Sequence, residues 1–125
     1  MDARHWRKLV TWAEAEKDEV LAHLPPALRE PAASLPVVFE PWIGDDLVET
    51  GLDPDLLGLF VGEPHGSPLS TEPMPPQIFL FLESIWQFVE GDEEAFREEV
   101  RVTFLHELGH YLGLDEEDLE HRGLE

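Results

Sequence analysis

At 125 residues the chain has the length of one domain with one core, and splitting it would leave two pieces too small to fold easily. Hydrophobic residues make up 42%, with four tryptophans and seven phenylalanines, against a formal net charge of -20. That balance excludes a disordered acidic tail and makes nucleic acid and anionic membrane surfaces poor partners, leaving basic peptides or proteins and cations. The absence of cysteine rules out disulfides and thiolate metal sites, so any metal ligand must be His, Asp or Glu.

The first element predicted in chain order is an amphipathic helix over Ala3 to Leu24, because Trp6, Leu9, Val10, Ala13, Val20, Leu21 and Leu24 recur at helical spacing and Pro25-Pro26 stops the run. His5 and His23 on this helix read as surface or capping side chains. A proline-bounded segment leads into LPVVFEP from Leu35, short and β-branched, which is the first expected strand. A turn at Asp53-Pro54 precedes a second strand over Leu56 to Val61. The proline-rich stretch Gly62 to Pro76 has no helical or strand period and is expected to be a surface loop of the kind that often carries function.

A third strand over Gln77 to Leu82 passes into a short helical turn near Ser84 to Val89. Asp92 then N-caps a last long helix, Glu93 to Leu112, with Glu93 and Glu94 favourably placed in its first turn. Phe96, Val100, Phe104 and Leu108 make one apolar side of this helix, and Val102, Leu105 and Leu112 another, so it should be central; Glu94, Glu98 and Glu99 read as a solvated face. Helix, strands, helix is an α+β order in a single domain spanning residues 1–125. No apolar run is long enough to cross a membrane and the start lacks a secretory h-region, so a soluble, cytoplasmic monomer is expected.

The chemistry is concentrated in HELGHYLGLDE, His106 to Glu116. Residues four apart on a helix are turned about 40° from one another and lie roughly 6 Å apart along the axis, so His106 and His110 can converge on one ion. Zinc binds imidazole nitrogen at about 2.0 to 2.1 Å, and a catalytic site takes three protein ligands and one water. Glu107 in an H-E-x-x-H helix is the general-base candidate for that water. Were the helix to continue, Glu117 would lie on the order of 10 Å beyond His110, so the chain must turn at Gly113 and bring an oxygen ligand from the Asp115 to Asp118 run.

HELGHYLGLDEEDLEHRG looks like the zincin metallopeptidase signature, and with the preceding EEVRVTFLHELGH it is similar to the small bacterial zincin-like metallopeptidase family, the minimal zincins. The resemblance implies an α+β, minimal zincin-like fold: a small mixed β-sheet packed on the active-site helix and the N-terminal helix. It implies zinc (Zn2+) held by His106, His110 and Glu116, with Glu107 as base, and hydrolysis of a peptide bond by a metal-bound water. Asp115, better used as N-cap of a short final helix to Arg122, and Glu120 are the other acids that can supply the third ligand. Where H-E-x-x-H-x-x-G-x-x-H zincins carry a third histidine, this chain has Glu116, and its two methionines, Met1 and Met74, both precede the motif.

Substrate is expected along the strand Leu56 to Val61 and the Gly62 to Pro76 loop, where His65 is a lesser candidate for stabilising an oxyanion. Tyr111 reads as packing and His121 as a C-terminal cation. The competing function class is a non-catalytic metal-binding or interaction domain.

Overall fold

The computed structural model describes residues 2–62 and 75–114. Its elements are α1 (Ala3–Ala22), α2 (Pro26–Ala33), β1 (Val37–Glu40), α3 (Asp45–Glu49), β2 (Gly58–Val61), β3 (Gln77–Phe81), α4 (Leu82–Phe88) and α5 (Glu93–Leu112). The final helix expected from Asp115, the candidate ligands Asp115, Glu116 and Glu120, and His65 and His121 all lie outside the described residues, as does the loop over 63–74.

The sheet is mixed, in the order β1-β3-β2. β1 pairs with β3 in parallel, Val37 opposite Ile78, and β2 pairs with β3 antiparallel, Gly58 opposite Leu80. Alternation along the central strand sends Ile78 and Leu80 to the face that α5 covers, where both are fully buried. From α5, Phe96, Val100, Phe104 and Leu108 recur every fourth residue and are all fully buried, meeting Leu9 and Ala13 of α1. Each such side chain contributes about 1.5–3 kcal/mol of burial, so this one stripe anchors the helix that carries the histidines. The expected α+β architecture is present, with the sheet packed on α5, and α1 packed on that same helix.

Polar contacts fix how α1 meets α5. Glu16, 8% exposed, accepts from Arg101 Nη1 at 3.0 Å and lies 3.9 Å from Arg97 Nη1. The Arg97 guanidinium stands 5.7 Å from the centre of the Trp12 ring.

Several boundaries differ from the sequence reading. α1 ends at Ala22, two residues before the expected stop, with His23 as its C-cap. The segment after it, read as merely proline-bounded, is the helix α2: Pro26 at its first position needs no N–H partner there. Arg29 ties α2 back to α1 by donating to the carbonyls of Ala22 and Leu24. α3 was also missed; Asp45 and Asp46 sit in its first turn, where negative charge is favoured. β2 begins at Gly58, not Leu56, and α4 begins at Leu82, because the Glu83 backbone N–H turns to the Pro41 carbonyl at the end of β3.

Three side chains depart from their expected settings. His5 is not a plain surface residue: its Nε2 lies 2.6 Å from Glu83 Oε1, and its ring meets Trp86 edge-on. Val102 is 54% exposed, so the second side of α5 is apolar without being fully covered. Glu99 is half-buried where a solvated face was expected.

The start of α5 is as read. Asp92 Oδ2 accepts from the Ala95 backbone N–H at 2.8 Å. Asp92→Ala is expected to lower stability by about 1 kcal/mol, measured by urea denaturation; an unchanged midpoint would mean the cap is redundant.

Candidate metal centre

The site helix ends as the sequence demands. Gly113 takes φ 72°, ψ 26°, the left-handed conformation that costs an L-residue with a β-carbon about 1 kcal/mol or more. Its N–H donates to the His110 carbonyl, and the Leu114 N–H reaches back to the Gly109 carbonyl at 2.7 Å. This double closure satisfies carbonyls that would otherwise face solvent unpaired and turns the chain sharply off the helix axis.

One turn before that end, His106 and His110 project together from α5 into solvent-accessible space. Their Nε2 atoms stand 3.3 Å apart, with ring centroids at 4.8 Å. Two nitrogens bound to one tetrahedral zinc at about 2.05 Å each would be about 3.3 Å apart. The pair therefore fits a metal ion with no change of rotamer. Glu107 completes the group: its carboxylate and the two imidazole nitrogens all offer ligand atoms within 4.8 Å of one another. A cation there also sits at the C-terminal end of α5, which carries partial negative charge.

Glu107 differs from the histidines in burial. It is 8% exposed, held under β2 rather than standing in solvent. Burial pushes its carboxyl above the ordinary carboxylate range; His110, His106 and a hydrogen bond from the Phe60 backbone N–H pull in the other direction. A carboxylate in this setting is a stronger base than one in water, and its orientation is set by the strand beside it.

β2 comes this close because residue 58 is glycine. A β-carbon there would stand 2.6 Å from Thr103 Cγ2 and 3.3 Å from Glu107 Cγ. Neither Gly58 nor the Phe60 N–H figured among the sequence-derived site residues. A lone glycine inside the apolar run LLGLFV was the available signal, since strand glycines mark places where another backbone or side chain approaches closely.

Tyr111 is buried away from the histidines and packs on Phe60, ring centroids 5.8 Å apart, as expected of a packing residue. His23 caps α1 and its Nδ1 lies 2.8 Å from the Glu19 carbonyl. Among the described residues the structure brings together His106, Glu107 and His110 and no other group of metal-ligating side chains.

A cleft of about 1050 Å³ opens beside this group, between the C-terminal half of α1, the Leu52–Leu59 segment and α5. It reaches His106 and Glu107 at one end. No helix among the described residues is long and apolar enough to cross a membrane.

Comparison with known proteins agrees with this geometry. A family model described as zincin-like metallopeptidase matches residues 32–124, a span that includes the sheet, α5 and the segment after it. No curated protein matches the chain.

Proposed function

Since the chain belongs to the zincin-like metallopeptidase family, we propose that it hydrolyses peptide bonds, with His106, His110 and Glu116 as zinc ligands and Glu107 as general base. The observation that carries the proposal is the 3.3 Å separation of the two Nε2 atoms beside a buried carboxylate. When bound, the metal supplies Lewis-acid polarisation of the scissile carbonyl and acidifies a water.

The chain's own groups do the rest. Glu107 takes the proton of the attacking water and delivers it to the leaving amine nitrogen, which must gain a proton as the C–N bond breaks. Its burial raises its proton affinity, which favours taking the proton from water. The Phe60 N–H keeps the carboxylate from swinging away from the histidines, so attack begins from one geometry. β2 is the edge strand of the sheet on this side, which makes it the natural neighbour for an extended peptide substrate. Gly113 ends α5 three residues after His110, so the acids that follow are not carried on along the helix axis.

The first test is metal itself. Protein loaded with zinc and desalted should retain about one equivalent, and His110→Ala should retain almost none, since removing one of three ligands forfeits the site. The same substitution, or a strong chelator, should lower the melting temperature, because an ion bound only by the folded chain stabilises it by mass action. Zinc content indifferent to His110→Ala would sink the ligand assignment. Release of new amino termini from casein then separates a peptidase from a metal-binding domain without turnover.

A further inference from the structure

We propose that the cleft beside the metal-ligating group binds a cationic amphipathic polypeptide, with apolar side chains on its floor and lysine or arginine side chains against an acidic rim. This rests on the peptidase reading and names the substrate class of that site.

The floor is aliphatic. Val20 comes from α1, Leu24 from just beyond its C-cap, Leu56 and Leu57 from the approach to β2, and Leu105 from α5. Val102 adds a large hydrophobic side chain that is more than half exposed on the same helix that carries the histidines. The volume of about 1050 Å³ lies at the upper end for small-molecule sites, so there is room for several consecutive side chains.

The rim carries Glu19, Glu98 and Glu99, with Glu107 at the inner end. Arg101 is the one lysine or arginine on the described lining, and its guanidinium is already engaged by Glu16 at 3.0 Å. The field in the cleft is therefore negative, on a chain whose formal net charge is -20, and attracts a cationic partner over long range. Burial, then repulsion from Glu98, push the Glu99 carboxyl above its usual range against a hydrogen bond from Thr103. A cation seated at this rim would offset the repulsion between the two carboxylates.

One wall of the cleft is α1, which precedes the residues matched by the family model. The acidic lip at Glu19 is thus built by a part of the chain outside the shared domain. Glu98 and Glu99, by contrast, stand on α5 with the metal group.

The test uses zinc-loaded full-length protein and a fluorescein-labelled peptide of alternating leucine and lysine, with a second peptide in which every lysine is acetylated. Fluorescence polarisation should show the cationic peptide binding at least about tenfold more tightly, with affinity falling as salt rises. Glu98→Lys combined with Glu99→Gln should remove most of that difference, and Val102→Asp should weaken the acetylated peptide; circular dichroism checks that each variant is folded. Equal binding of the two peptides, no binding of either, or a preference untouched by the rim substitutions overturns the proposal. Mass spectrometry of the same samples reads cleavage separately. Selective binding without cleavage removes the peptidase reading and leaves the cleft, whereas equal cleavage of both peptides leaves the peptidase and removes the cleft's selectivity.

Discussion

Glu107→Gln should abolish peptide hydrolysis while making the metal-free protein more stable. The two effects have one origin. The carboxylate sits under β2, nearly out of contact with water, and carries a charge that its surroundings do not fully repay. Glutamine has the same shape and still accepts from the Phe60 N–H through its amide oxygen, but it is uncharged and cannot take a proton. The rate should fall by on the order of 10²–10⁴, while the melting temperature of metal-free protein rises by about 3 °C, the equivalent of somewhat under 1 kcal/mol at this size.

The pH dependence has a definite sign. Because folding raises the Glu107 pKa, the folded chain holds that proton more tightly than the unfolded one, so the ionised carboxylate costs stability above the folded-state pKa. The cost is lost as pH falls through the raised value towards the ordinary carboxylate range, and the gain in the glutamine variant shrinks with it. Calorimetry across that window, with a parallel peptidase assay at full zinc loading, checks both halves. Wild-type hydrolysis by the glutamine variant would remove the base; a lower melting temperature would mean that the carboxylate is stabilising and its burial well compensated.

Gly58→Ala is expected to lower stability by about 1–3 kcal/mol, the usual cost of forcing an extra carbon into a packed region, and to lower activity as well. The new β-carbon would meet Thr103 Cγ2 at 2.6 Å, a separation that real structures do not tolerate. Thr103 is buried and β-branched on a helix, so it has little freedom to rotate away. Thr103→Ser removes that methyl group. The double variant should recover stability with a coupling of about 1 kcal/mol, by urea denaturation of all four proteins. Activity should recover less, because the contact with Glu107 Cγ at 3.3 Å persists. Additive stabilities would show that β2 shifts outward instead of pressing on Thr103.

The legible parts of this molecule are those governed by strong local signals. α5 was readable from Asp92 to Gly113 because a side-chain cap, a four-residue apolar repeat and a left-handed glycine agree with one another. The convergence of His106 and His110 followed from helix geometry, and Glu107 from its place in the H-E-x-x-H motif. α2 and α3 were missed because short helices are held by what they touch: Pro31 lies inside α2, and α3 is five residues long. Glu99 was misjudged for a related reason. Its spacing on α5 gives no sign that α1 and the Leu52–Leu59 segment rise on either side to form a cleft around it. The Phe60 N–H is a backbone group, and only the pairing of β2 with β3 brings it to Glu107.

The bond between Glu16 and Arg101 joins residues 85 positions apart, and it lies within the packing of α1 on α5. Contacts this distant in sequence form late in folding, after the closure entropy of the intervening chain has been overcome. The helix that carries His106, Glu107 and His110 thus takes part of its support from a contact made only when two distant parts of the chain meet. Until α1 and α5 are together, the cleft beside the H-E-x-x-H segment lacks one of its walls. A site whose parts come from α1, β2 and α5 exists only once these elements have met.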